Sequence, residues 1–168
     1  LIQMLLAQVP LEPNERMVVA IDGPQGMAAA GNTMRACERI LRTPGRTPSV
    51  LPRAEESGAP FQGYIRSSID LFAGLVGAAS FWSLAGLRGV GKVEADLWEV
   101  FPGAEWFVLA RHQLPLKTTV AGRQARRNLF ESLKVAFPTR SLPTADQNDA
   151  LVGAYLAWCV HNRPAAVE

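Results

Sequence analysis

Histidine and cysteine are scarce in this chain, and their scarcity removes whole classes of chemistry. The two histidines, His112 and His161, sit in unrelated contexts, and the two cysteines, Cys37 and Cys159, are far apart. Neither a His-based zinc site, a CxxC motif nor a Ser-His-Asp triad assembles readily from such a set. The same two cysteines argue against a disulfide scaffold and fit a reducing compartment, so a cytoplasmic location is expected. No apolar run reaches membrane-spanning length without interruption, and the first residues do not read as a signal peptide. No membrane partner is expected. Net charge is only +2, so attraction to nucleic acid has to come from local clusters rather than a global field.

What is present describes an ordinary globular protein of 168 residues, 48% hydrophobic and 19% charged. A single domain over 1–168 is expected, burying roughly two thirds of the surface its unfolded chain would expose. Leu1–Val9 reads as part of an amphipathic helix closed by Pro10 and Pro13, and the N-terminus of a longer protein is expected to precede it.

The organising stretch is Met17-Val18-Val19-Ala20-Ile21-Asp22-Gly23-Pro24. Five apolar residues predict a short buried strand, and Gly-Pro ends it at once. A buried strand that delivers an acid to its C-terminal edge is how open α/β sheets present ligand-binding groups. Asp22 capping its own turn is the bland alternative. A helix is expected over Gly31–Arg42, an irregular loop over Thr43–Gly63, and one helix over Arg66–Leu87, weakened by glycines. The apolar residues of that helix, Phe72 and Leu75 among them, suit a core or a dimer face. Gly86–Lys92 has the GxxxxGK spacing of a phosphate-binding loop. Val93 stands where a Ser or Thr is required, however, and a strand rather than a helix is expected next, so the match is rejected.

Leu97–Phe101 reads as a second strand. Its Glu99 is costly inside an apolar run unless paired or metal-bound, although alternation could place it on a solvent face. A brief helix over Ala104–Ala110, with Trp106 and Leu109 inward, is followed by an extended linker carrying Lys117. The next helix, Val120 to about Val135, puts Leu129, Phe130 and Leu133 on one face and Arg123, Arg126 and Arg127 on another. That basic face is either simply solvated or a phosphate contact. Thr144 and Gln147 form a capping box for the last helix, with Leu151, Val152, Tyr155, Leu156 and Cys159 on its apolar side. Asp146 and Asp149 share a face at its start, where the helix dipole stabilises them whatever else they do.

Asp22, Glu99 and Asp149, with Asp146 beside the last, form a set of acids at strand ends and a helix start. Hard cations such as Mg²⁺ or Mn²⁺ take oxygen ligands and keep several waters. Two such ions about 4 Å apart can activate water and stabilise the leaving oxygen of a phosphodiester. Metal-assisted phosphodiester hydrolysis is the reaction class these acids permit.

The run Val19-Ala20-Ile21-Asp22-Gly23-Pro24-Gln25-Gly26, then Arg35-Ala36-Cys37-Glu38-Arg39, Glu99-Val100-Phe101-Pro102, Lys117-Thr118-Thr119 and Asp146–Val152 resembles the DUF429 family of predicted nucleases. The resemblance spans about Val18 to Trp158. It implies an α/β, ribonuclease H-like fold related to RuvC-type resolvases, with a mixed sheet flanked by helices. It further implies Asp22 and Glu99 as strand-end acids, Asp146 and Asp149 as helix acids, and Lys117 as a basic residue near the site. The family's first strand, with its own aspartate, has no counterpart here. Two readings follow. In the first, Asp22, Glu99 and Asp149 hold Mg²⁺ or Mn²⁺, Asp146 and Lys117 complete the catalytic group, and Arg123, Arg126 and Arg127 steer nucleic acid. In the second, the domain is degenerate and non-catalytic, binding a partner or forming a homodimer through an open strand edge.

Overall fold

The computed structural model describes residues 17–52, 61–78, 82–84, 95–137 and 141–162. Among them the order is β1 (Met17–Asp22), α1 (Ala36–Leu41), α2 (Gln62–Ala78), β2 (Trp82–Leu84), β3 (Ala95–Val100), α3 (Pro102–Ala110), α4 (Val120–Ser132) and α5 (Ala145–Asn162). The chain is therefore α/β. The three strands lie in the order β1-β3-β2, and both pairings are parallel. The sheet of the described residues is thus wholly parallel rather than mixed. Leu1–Val9 and Gly86–Lys92 lie outside the described residues. No helix among those described is long and apolar enough to cross a membrane.

The register of β1 on β3 sets up everything that follows. Ile21 pairs with Glu99, and Asp22 pairs with Val100. Alternation along the strands therefore sends the two acids to opposite faces of the sheet. The face of Ala20 and Val100 carries α5: a Cβ placed on Gly153 would lie 3.6 Å from Val100 Cγ2 and 3.7 Å from the Ala20 Cβ. Small residues at that crossing bring the helix start, and Asp149 with it, down onto the strand end. The core behind it is aromatic. Phe130 is fully buried and meets Trp106 edge-on at 4.9 Å and Tyr155 at 5.7 Å, with Val152 and Leu114 completing the cluster.

Several elements depart from the expected bounds. Helix formation before Ala36 is stopped by Arg35, which is extended (φ −75, ψ 156) because its backbone N–H and its guanidinium are both held by carboxylates. The apolar run 66–87 divides into a helix and a strand. Helix α2 starts four residues earlier than expected, at Gln62, and stops at Ala78, after which Trp82–Leu84 joins β3. Ile65, Ser68, Phe72 and Leu75 form its buried stripe, so Phe72 and Leu75 belong to the interior of this chain. Helix α3 begins at Pro102, where proline's missing N–H costs nothing. Helix α4 ends at Ser132, which leaves Leu133 37% exposed.

Two local devices fix the segments that carry Lys117 and Asp149. The capping box is complete: Gln147 N–H donates to Thr144 Oγ1 at 3.1 Å and Thr144 N–H to Gln147 Oε1 at 2.9 Å. Upstream, the chain at 115–116 passes so close to α4 that a Cβ on Gly122 would lie 1.9 Å from the Leu116 carbonyl oxygen. Thr144→Ala should cost about 1 kcal/mol, whereas Gly122→Ala should cost about 2–4 kcal/mol, near the upper end for single substitutions. Urea denaturation of the two variants checks this, and equal losses would contradict the close approach.

Candidate functional site

Asp22 stands at the C-terminal end of β1, where Gly23 turns the chain away. Gly23 has φ +144, and a Cβ there would fall 2.3 Å from Ser68 Oγ and 3.1 Å from the Tyr64 hydroxyl. Only glycine lets α2 come this near. The approach lets the Tyr64 hydroxyl donate to Asp22 Oδ1 at 2.9 Å. Asp22 is open to solvent, yet its carboxyl is held above the usual range. Partial burial is the largest cause, the Tyr64 hydrogen bond works against it, and Asp149 and Asp146 add repulsion that Lys117 partly offsets.

Asp149 lies within hydrogen-bonding range of two donors on the other side of the strand end. Trp106 Nε1 donates to its Oδ1 at 3.3 Å, and the Lys117 ammonium donates to its Oδ2. Asp149 is buried, while the Lys117 side chain is about half exposed. The linker that delivers Lys117 is pinned at several points. Thr119 N–H and Thr119 Oγ1 both donate to the Leu116 carbonyl, at 3.0 and 2.8 Å, and Arg126 donates to the Pro115 carbonyl at 2.9 Å. Asp146 is exposed one turn before Asp149 and acts on Asp22 through its charge.

Glu99, on the opposite face, is engaged differently. Arg35 grips it with both terminal nitrogens, Nη1 reaching Oε2 at 2.7 Å and Nη2 reaching Oε1, and the Gln25 N–H adds a third bond to Oε2 at 3.0 Å. The same guanidinium donates through Nε to Glu38 Oε1 at 3.0 Å, and Glu38 accepts from the backbone and hydroxyl of Thr47. Burial works against the Arg35 charge, but the hydrogen bonds and charge of Glu99 more than offset it, so Arg35 is held above the ordinary arginine value. Glu38 is also buried, which would raise it, yet the bonds from Thr47 and Arg35 pull it below the usual carboxylate range.

Tyr64 ties the acids together. Its hydroxyl is pushed well above the ordinary tyrosine value by burial, by the bond to Asp22, and by the charges of Asp22, Glu99 and Asp149. All three expected acids therefore bear on one phenol. A fourth, Glu105, was not among the expected residues. Burial pushes it up to about 7; the Phe101 N–H it accepts works the other way, and Asp22 and Asp149 add repulsion. Its Oε1 accepts that N–H at 3.2 Å, while its buried Oε2 has no hydrogen-bond partner.

Of the three arginines of α4, Arg126 lies near enough to Asp149 to feel its charge. Arg126 is 7% exposed, bonded to the Pro115 and Gly122 carbonyls, with its guanidinium 5.5 Å from the Trp106 ring centroid. Arg127 pairs with Glu131 at 2.8 Å and lies over Phe137. Arg123 is half-buried. What Arg126 and Arg127 do here is brace the linker and the aromatic core.

A cavity of about 550 Å³ opens at this end of the sheet, and Asp22, Gln25, Arg35, Tyr64, Glu99 and Lys117 are among its lining residues. Among the described residues, no three His, Cys, Asp or Glu side chains lie close enough together to form a ready-made metal-binding group. The donor set nonetheless fits one hard cation of the Mg²⁺ class, which is commonly held by one or two carboxylates plus water and substrate phosphate. Asp22 and Asp149 supply hard oxygens whose mutual repulsion a cation relieves, and Lys117 already places a positive charge on Asp149. Both oxygens of Glu99 are engaged by Arg35 and those of Asp149 by Trp106 and Lys117, whereas Asp22 has one oxygen bonded, to Tyr64, and one open.

Comparison of the chain with family models, with curated proteins and with solved structures finds no match.

The two perturbed glutamates act on stability in opposite pH ranges. Glu105 has a folded-state pKa raised from 4.5 to about 7, so the folded chain holds its proton longer. Its contribution is complete below pH 4.5 and is lost as pH rises to about 7. Glu38, lowered from 4.5, contributes above pH 4.5 and loses that contribution as pH falls through its folded-state value. Urea denaturation across pH 3–8 should show Glu105→Gln flattening the neutral limb by up to roughly 3 kcal/mol and Glu38→Gln flattening the acid limb. Unchanged slopes would contradict these environments.

Proposed function

We propose that the chain is a metal-dependent phosphodiesterase acting on nucleic acid, built on a ribonuclease H-like arrangement. The observation that carries this reading is the approach of Asp22, from a strand end, to the ion pair of Lys117 with Asp149, from a helix start; Asp22 and Lys117 both line one cavity. Asp22 and Asp149 would hold Mg²⁺ or Mn²⁺. When bound, the ion supplies charge stabilisation at the phosphate and acidifies water.

The protein's own part is positioning. Tyr64 fixes one oxygen of Asp22 and Trp106 one oxygen of Asp149, leaving the other Asp22 oxygen for a ligand. Lys117, on a half-exposed side chain beside Asp149, would supply the positive charge that holds a phosphate oxygen of the substrate. Water adds at phosphorus, one P–O ester bond breaks, and the leaving oxygen takes a proton. Glu99 acts at one remove by holding Arg35 and the Gln25 turn.

With millimolar Mn²⁺ and single-stranded DNA or RNA, Asp22→Asn and Asp149→Asn should each lower cleavage by about 100-fold or more. Full activity in both would overturn the proposal. A second reading, a non-catalytic domain associating through its sheet edge, rests on β1, which among the described residues pairs on one side only. It predicts a concentration-dependent mass and no Mn²⁺-dependent cleavage.

A further inference from the structure

The cavity beside Asp22 is larger than a single phosphate group needs. At about 550 Å³, it falls among pockets that enclose small organic ligands, roughly 300–1,000 Å³. Asp22 and Lys117 are its ionic members at one end, and Pro24, Leu41, Pro44, Phe61, Ile65 and Phe101 make much of the remaining wall. The other charges in the lining form one network, a single Arg35 guanidinium bonded to both Glu99 and Glu38. One guanidinium against two carboxylates leaves that part with excess negative charge, so an anion is repelled there whereas an uncharged flat group is not. Gln25, also in the lining, has a buried side-chain Oε1 without a hydrogen bond.

A nucleotide has this same division, with an anionic phosphate at one end and a flat, uncharged base with N–H groups on its edge at the other. We propose that the cavity takes one unstacked nucleobase of the bound strand, while the adjoining phosphate stays at Asp22, Asp149 and Lys117. The inference rests on the phosphodiesterase reading and names the part of the substrate that fills the pocket. It makes single-stranded or locally opened nucleic acid the substrate class, because a base inside a duplex has to leave its stack to enter.

Cys37 gives a direct readout. It is a free, exposed thiol in the cavity lining, and in a Cys159→Ser chain it is the one remaining cysteine. Its alkylation by iodoacetamide is to be timed in Mn²⁺ with deoxyadenosine 5′-monophosphate or with deoxyribose 5-phosphate, which lacks the base. Saturating mononucleotide should slow the reaction at least about fivefold, and the sugar phosphate should leave it nearly unchanged. Equal protection by both, or protection by neither, overturns the proposal. A Cβ on Gly45 would meet nothing nearer than 3.9 Å, the side chain of Phe61, so Gly45→Leu can grow into the cavity. It should abolish mononucleotide protection while leaving any Mn²⁺-induced rise in melting temperature intact; retained protection counts against the proposal. Cleavage is scored separately. Protection without cleavage upholds the pocket and sinks the hydrolytic reading, and cleavage without protection does the reverse.

Discussion

The guanidinium of Arg35 is the constraint on which this end of the molecule depends. It joins Glu99 on the central strand to Glu38 in α1, and through Glu38 it reaches the loop at Thr47. The central strand is thereby fixed, around one planar cation, to the start of α1 and the loop that follows it. Such partly buried pairs add little net stability, because desolvation offsets much of the attraction. Their value here is in specifying geometry: α1 is short because Arg35 must stay extended to make these bonds, and the turn at Gln25 is tethered to the same carboxylate. With Glu99 so occupied, the open carboxylate on the cavity mouth is that of Asp22, with Asp149 behind Lys117.

The division of labour among the acids follows from the parallel register. Pairing Asp22 with Val100 and Ile21 with Glu99 sends the two carboxylates to opposite faces of the sheet. One face receives α5 and gains Asp149, and the other receives the Arg35 clamp. Close backbone approaches then bring in the supporting groups, at Gly23 for Tyr64 and at Gly122 for the Lys117 linker. The cavity is what remains beside the clamp, lined by Arg35, Glu38 and Glu99 as well as by Asp22 and Lys117.

The parts of this site that were legible in the sequence are those announced by local pattern. The strand ending at Asp22, the strand around Glu99 and the Thr144 cap that starts the Asp149 helix all depend on neighbours a few residues away. Glu99's partner does not. Arg35 lies 64 residues upstream, and only the fold brings it near; the cost of a carboxylate in an apolar strand signalled that some partner was needed without naming it. The burial of Arg126 was hidden for a related reason. Arg126 has the spacing of a solvated arginine, but the chain at 115 covers it and Trp106 lies beside it. Tyr64 and Glu105 carry no motif at all, and their importance comes from burial beside other acids. The split of 66–87 into helix and strand reflects pairing with β3, a tertiary preference that outweighs helical length.

The central claim is that Asp22 and Asp149 are the pair that receives a divalent cation while Glu99 serves Arg35. Titration of the chain with Mn²⁺, followed by the loss of the free-ion electron paramagnetic resonance signal, tests it most directly. The account predicts binding in the unaltered chain and in Glu99→Gln, and loss of binding by about tenfold or more in Asp22→Asn and Asp149→Asn. Binding that survives both aspartate substitutions but fails in Glu99→Gln would contradict it.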